Sequence, residues 1–174
     1  MTCTIWFTGL SGAGKTTIAS LLVERLRAKG KGLVVLDGDM VRKTISSDLG
    51  YTKEERDKHI TRVAQACELI TKNKVMNVAC VISPTKKIRD YARSIIGKDA
   101  FFEIYVKCPI DICEKRDVKG HYKKVRSGEI KDFVGITVPY EEPENPDLVL
   151  ETDRESVEES TNKIINLLEE RGFL

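Results

Sequence analysis

The sequence predicts an α/β protein, a five-stranded parallel sheet with helices on both faces. Two observations predict it. Short apolar runs alternate with segments of helical period along the whole chain, the pattern of a parallel sheet covered on both sides. The first apolar run also passes through a glycine-rich turn straight into a helix.

The elements follow in order. TCTIWFT, residues 2–8, is the first strand, and a helix runs from about Lys15 to Lys29. GLVVLDGD is the second strand, ending in two carboxylates. Residues 53–73 carry Ile60, Val63, Ala64, Cys67 and Ile70 at helical spacing. VMNVACVIS is the third strand, stopped by Pro84, and KKIRDYARSIIG is a helix closed by Gly97. AFFEIYVKC is the fourth strand, IDICEKRD a short helix and DLVLET the fifth strand. The last helix, SVEESTNKIINLLEERG, opens with Ser156 and Glu159 at capping-box spacing. Residues 117–146 have no apolar period and are rich in Gly, Lys, Pro and Glu. Such a long polar connection is either a solvated surface loop or a functional lid.

GLSGAGKT, residues 9–16, has the spacing Gly9, four residues, Gly14, Lys15, Thr16. This is the Walker A pattern, and strand, loop and helix stand in the order it needs. Glycines let the backbone close around an anion, successive N–H groups form a nest, and the helix adds its positive end. Lys15 reaches the β- and γ-phosphates and Thr16 offers a hydroxyl to Mg²⁺.

Composition bounds the rest. A length of 174 residues suits one domain, and 41% hydrophobic with 32% charged residues reads as soluble and globular. A net charge of +2 argues against broad nucleic-acid binding. The five cysteines are odd in number, lack C-x-x-C spacing and sit mostly in apolar runs, so buried thiols are expected. No apolar run is long enough to cross a bilayer. The first strand begins almost at residue 1, leaving no room for a signal peptide, and the expectation is a cytoplasmic protein.

Ligands of such sheets bind at the carboxyl ends of the strands. Asp37-Gly38-Asp39 and Ser83-Pro84 stand at two of those ends. Asp39 either acts on a hydroxyl acceptor or caps the helix MVRKTISS, and local sequence leaves both open. Arg42, Arg56, Arg62, Lys119, Lys123, Lys124, Arg126 and Lys131 gather near the same ends, which suits a pair of anionic substrates.

Across nearly its whole length the chain resembles the adenylyl-sulfate kinase family. The resemblance rests on FTGLSGAGKTT, LDGDMVR, DLGYTKEER, VISP, RDVKGHYKKVRSGEIKDFVGI and PYEEPENPDLVL, in that order. It implies a three-layer P-loop NTPase fold over residues 1–174, one kinase domain with a mobile lid at about 116–135. It implies transfer of the γ-phosphoryl group of ATP, with Mg²⁺, to the 3′-hydroxyl of adenosine 5′-phosphosulfate. Lys15, Asp39 and Ser83 are the catalytic positions by resemblance. Gly9, Leu10, Ser11, Gly12, Ala13, Gly14, Lys15, Thr16 and Thr17 would hold ATP, with Thr16 on the metal. Asp37, Asp39, Arg42, Tyr51, Arg56, His59, Ile82, Ser83, Lys119 and Phe133 would meet the substrate, Tyr51 and Phe133 by stacking on its adenine. The resemblance also implies a homodimer and, since no second domain is present, a sulfurylase partner on a separate polypeptide. Ser83 matches a serine assigned as a phosphorylated intermediate in bacterial members; direct in-line transfer is the expectation here.

The chain departs from the family pattern at Met40 and His59, where the pattern has Asn, and at Tyr51, where it has Phe. Thr61 stands for Arg, and Thr85-Lys86 for Tyr-Arg. Another small-molecule kinase, for a nucleoside, shikimate or gluconate, is the rival enzyme reading. A nucleotide-binding module without turnover is the rival of another class.

Overall fold

A computed structural model describes residues 1–174, with β1 Thr4–Thr8, α1 Lys15–Ala28, β2 Leu33–Asp37 and α2 Gly38–Lys43 in its first quarter. There follow α3 Lys53–Lys72, β3 Met76–Cys80, α4 Lys86–Ile96, β4 Phe101–Lys107 and α5 Ile110–Arg116. The chain ends with α6 His121–Arg126, β5 Leu148–Glu151 and α7 Val157–Glu170. The five strands form one sheet in the order β2-β3-β1-β4-β5. Every pairing is parallel, as the apolar runs predict.

Alternation along β1 divides the core in two. Ile5 and Phe7 face one side, where they join Ile18, Leu22 and Leu26 of α1 and Ile164 and Leu168 of α7. Trp6 faces the other side, against Val63, Ala64 and Cys67 of α3 and Ile88 and Ala92 of α4. All of these side chains are under a tenth exposed, so both faces of the sheet are sealed. The five cysteines are free and buried. No helix is long and apolar enough to cross a membrane.

Two local readings are corrected. The long polar connection is not structureless, because it contains the six-residue helix α6. Its apolar anchors, Tyr122 and Phe133, stand eleven residues apart, too far for any helical period to show. The cap of α2 is Asp37 and not Asp39: the Asp37 carboxylate accepts from the backbone N–H groups of Asp39 and Met40. The capping box expected at Ser156–Glu159 is present, and a second one forms at Thr52–Glu55.

Strand β1 lies between β3 and β4, so the chain reverses its direction of travel across the sheet at this point. A crevice opens there at the carboxyl ends of the strands. The glycine-rich loop follows β1 into it.

Candidate active site

The loop is shaped by close backbone approaches. Gly9 has φ +146°, and a Cβ on it would come within 2.4 Å of the Val106 carbonyl oxygen on β4. Gly12 has φ +78°, and a Cβ on it would come within 2.9 Å of the Cys113 carbonyl oxygen of α5. No L side chain fits either place, so these two glycines are set by packing as well as by conformation. Lys15 folds back, its Nζ donating to the carbonyls of Gly9 at 2.8 Å and Leu10 at 2.7 Å. Burial pulls its ammonium down to about 8, so it stays charged at neutral pH.

The two strand-end carboxylates divide their tasks. Asp37 uses one oxygen to cap α2 and accepts the Thr16 hydroxyl on the other at 3.1 Å. Asp39, in the first turn of α2, is ion-paired with Lys119. Partial burial would raise the Asp39 pKa, but the Lys119 hydrogen bond and charge, with His121 and Lys15 beyond, hold it below the usual carboxylate value.

Farther along the same cleft, Arg42 donates to the Gly50 carbonyl at 2.8 Å, and its guanidinium lies 4.4 Å from the centre of the Tyr51 ring. Tyr51 is 64% exposed. Arg56 reaches the Asp132 carbonyl at 3.4 Å, joining α3 to the segment after α6. His59 is buried, with no hydrogen-bond partner on Nδ1. Burial and the neighbouring Arg42 charge push its pKa down to about 4, so the ring is neutral at pH 7. Phe133 packs edge-to-face on Tyr122 with centroids 5.0 Å apart. Ser83 is fully buried; its hydroxyl accepts from the Trp6 indole at 3.2 Å and donates to Thr8 at 2.9 Å.

One cleft of about 430 Å³ gathers nearly all of these positions. Ser11 through Thr17, Asp37, Asp39, Arg42, Tyr51, Arg56, His59, Ile82, Ser83, Lys119 and Phe133 line it. Gly9 and Leu10 are not on its wall. They lie behind the loop, where their carbonyls fasten Lys15 and the Leu10 side chain packs on Gly135.

Sequence reasoning missed the far end of the cleft. Arg116, Thr152, Glu155, Val157 and Ser160 line it beyond the loop. Arg116 donates to the Thr152 carbonyl at 2.6 Å, and the Thr152 hydroxyl donates to the Ala13 carbonyl at 2.7 Å. Thr152 directly follows β5, so the strand-end rule could have found it. Nothing in the local sequence sets Arg116 apart from the others among the 29 basic residues.

In chemical terms, the cleft holds an anion nest with a lysine at one station and a carboxylate beside it. Arginines and aromatic rings stand at the next. That is the equipment for moving a phosphoryl group between two bound nucleotides.

Comparison with known proteins agrees. The family model described as adenylylsulphate kinase matches residues 1–151. An adenylyl-sulfate kinase of Halothermothrix orenii is 52% identical over 171 residues, which cover 98% of this chain and 91% of that protein. One of Rippkaea orientalis is also 52% identical over 171 residues, covering 98% and 93%. The structure of the Mycobacterium tuberculosis APS kinase CysC in complex with AMPPNP and APS superposes with a TM-score of 0.91. It shares 41% identity and covers 97% of this chain and 98% of that one.

Proposed function

The chain belongs to the adenylyl-sulfate kinase family, and from that membership we propose that it phosphorylates the 3′-hydroxyl of adenosine 5′-phosphosulfate with ATP. The products are ADP and 3′-phosphoadenosine 5′-phosphosulfate. The observation that carries the reading is the single cleft in which the Walker loop, Asp39 and the Arg42–Arg56–Phe133 group meet.

The residues divide the work as follows. Backbone N–H groups of residues 11–17 and the N-terminal end of α1 hold the donor phosphates. Lys15 leaves its loop carbonyls for the β- and γ-phosphates and neutralises charge on the group in transfer. Thr16 and Asp37 present a hydroxyl and a carboxylate oxygen 3.1 Å apart, a hard-oxygen pair that fits Mg²⁺ directly or through water. When bound, that ion neutralises phosphate charge. Asp39 accepts a hydrogen bond from the acceptor hydroxyl and takes its proton as the new bond forms. Lys119 must release Asp39 for this to happen, which ties the step to movement of residues 116–135 as a lid. Arg42 and Arg56 face the phosphosulfate, and Tyr51 and Phe133 the acceptor adenine. Ser83 stays outside the transfer path, supported by its full burial and engaged hydroxyl. The same reading includes a cytoplasmic homodimer and a sulfurylase partner as supplier of the acceptor.

Coupled release of ADP tests the assignment. Turnover is expected with adenosine 5′-phosphosulfate and not with AMP, shikimate or gluconate. Equal or faster turnover with any of those three would reassign the acceptor.

A further inference from the structure

A charged side chain outside the cleft fastens the wall behind it. Arg89, on α4, is 3% exposed. Its Nη1 donates to the Ser83 carbonyl at 2.8 Å and its Nη2 to the Glu141 carbonyl at 2.7 Å. Its Nε lies 2.9 Å from Oε1 of Glu103 on β4. Arg93 reaches the other Glu103 oxygen at 3.2 Å and Asp147 at 3.1 Å, so the buried carboxylate is shared between two arginines. One planar fork thereby joins the turn after β3, the segment around Tyr140 and Glu141, and the fourth strand. A guanidinium suits this task because its donors point in fixed, divergent directions.

The turn it holds needs holding. Ser83 has φ +42°, a left-handed conformation that a residue with a side chain keeps only when its surroundings over-determine it. Thr8 gives its single hydroxyl proton to the Ile82 carbonyl at 2.7 Å. It can therefore only accept from Ser83 at 2.9 Å and from Tyr140 at 2.9 Å. The Glu141 N–H donates to the Pro84 carbonyl at 2.8 Å, and the Glu141 carboxylate accepts from the Lys86 N–H at 2.6 Å. Residues 82–86 and 140–141 are thus laced together from both sides. Ile82, Ser83 and Pro84 form part of the cleft surface, while Arg89, Glu103 and Tyr140 do not.

We propose that Arg89 is a positioning residue for the acceptor, holding the Ser83 turn and the Tyr140–Glu141 strap as one rigid wall of the cleft without touching the ligand. This rests on the proposed function, with the acceptor held in the cleft that Ile82, Ser83 and Pro84 line. A purely structural role predicts loss of stability alone. The positioning role predicts a change in acceptor affinity that ATP does not share.

Two variants of the full chain test it, Arg89→Lys and Tyr140→Phe. Lysine keeps the charge but cannot reach two carbonyls and the Glu103 carboxylate from one nitrogen. Phenylalanine keeps the ring and removes only the hydroxyl that reaches Thr8. Hydrogen exchange without ligand comes first, because it is independent of acceptor identity. In Arg89→Lys the Glu141 amide should exchange faster while the amides of β1 keep their protection. Steady-state kinetics follow. In Arg89→Lys the KM for adenosine 5′-phosphosulfate should rise roughly tenfold and the KM for ATP stay within about twofold, the size of one lost charge-assisted hydrogen bond. Tyr140→Phe should show the same split at a smaller size, about threefold. A matched rise in both KM values, or an unchanged acceptor KM, overturns the proposal. If Arg89→Lys does not fold, the split in Tyr140→Phe decides alone. A wild-type protein inert toward adenosine 5′-phosphosulfate would overturn the acceptor assignment instead, and the exchange result would still report whether Arg89 holds the wall.

Discussion

Lys119 and Asp39 are ion-paired across 80 residues of sequence, fastening the start of the proposed lid to the carboxylate proposed as base. The pair keeps the base ionised and at the same time occupies it. Removing the lysine should therefore reveal both effects. In Lys119→Met the Asp39 pKa should rise toward its ordinary value, since the strongest influence lowering it is gone. With Asp39 as the proposed base, the acid limb of kcat/KM should move to higher pH. A pH–rate profile checks this; an acid limb that does not move would separate Asp39 from the rate.

Lys15→Ala should nearly abolish turnover in a folded protein. The ammonium acts on charge that develops in the transition state, and loss of one such group costs roughly 10²–10³ in kcat. Steady-state kinetics with circular dichroism decide. Near-normal kcat would remove Lys15 from the transfer step.

Ser83→Ala should keep most of its activity, and phosphopeptide mapping of the wild type during turnover should find no phosphate on Ser83. The hydroxyl is buried beneath the cleft surface and bonded to Trp6 and Thr8. Its loss should cost about 1 kcal/mol of stability. A folded but inactive variant together with trapped phosphoserine would refute direct transfer.

Phe133 faces two demands, since it packs on Tyr122 and His121 and also lines the cleft. Phe133→Leu keeps most of the packing and removes the aromatic face. Its acceptor KM should rise about five- to a hundredfold, as expected for one lost stacking face, with ATP KM nearly unchanged. Phe133→Trp should retain function. A fall in thermal midpoint without change in acceptor KM would leave only the packing role.

His59 links stability to acid. Its folded pKa lies near 4, below the unfolded value near 6.5. The unfolded chain therefore binds the extra proton between those two values. Stability from this group is complete above about pH 6.5 and is lost as pH falls toward 4. Thermal midpoints across that window should fall less steeply in His59→Asn than in wild type, and parallel slopes would remove His59 as the cause.

Most of the architecture could be read from the chain because β1, β3 and β4 are buried on both faces and show as apolar runs interrupted internally only by Asn77 and Glu103. The glycine-rich loop could be read because its chemistry requires fixed spacing. Helix α6 could not, since two anchors eleven residues apart carry no period. The tasks of Asp37 and Asp39 could not be separated, because a cap and a base use the same residue type, and only backbone geometry assigned the cap. Arg116 and Arg89 were invisible for another reason. What distinguishes them is which carbonyls they meet, and those lie far away in sequence.

The central place of β1 sets an order of events during synthesis. Thr4 aligns with Asn77 on one side and Phe101 on the other, and Gly9 takes its shape against Val106. The residues of the glycine-rich loop therefore leave the ribosome before β3 and β4, the strands that brace them. Pairings of such long sequence separation close slowly. A nascent chain stalled before β4 would carry the whole glycine-rich loop and still lack the backing that shapes it. The nucleotide loop thus takes its full shape only once β4 has joined β1.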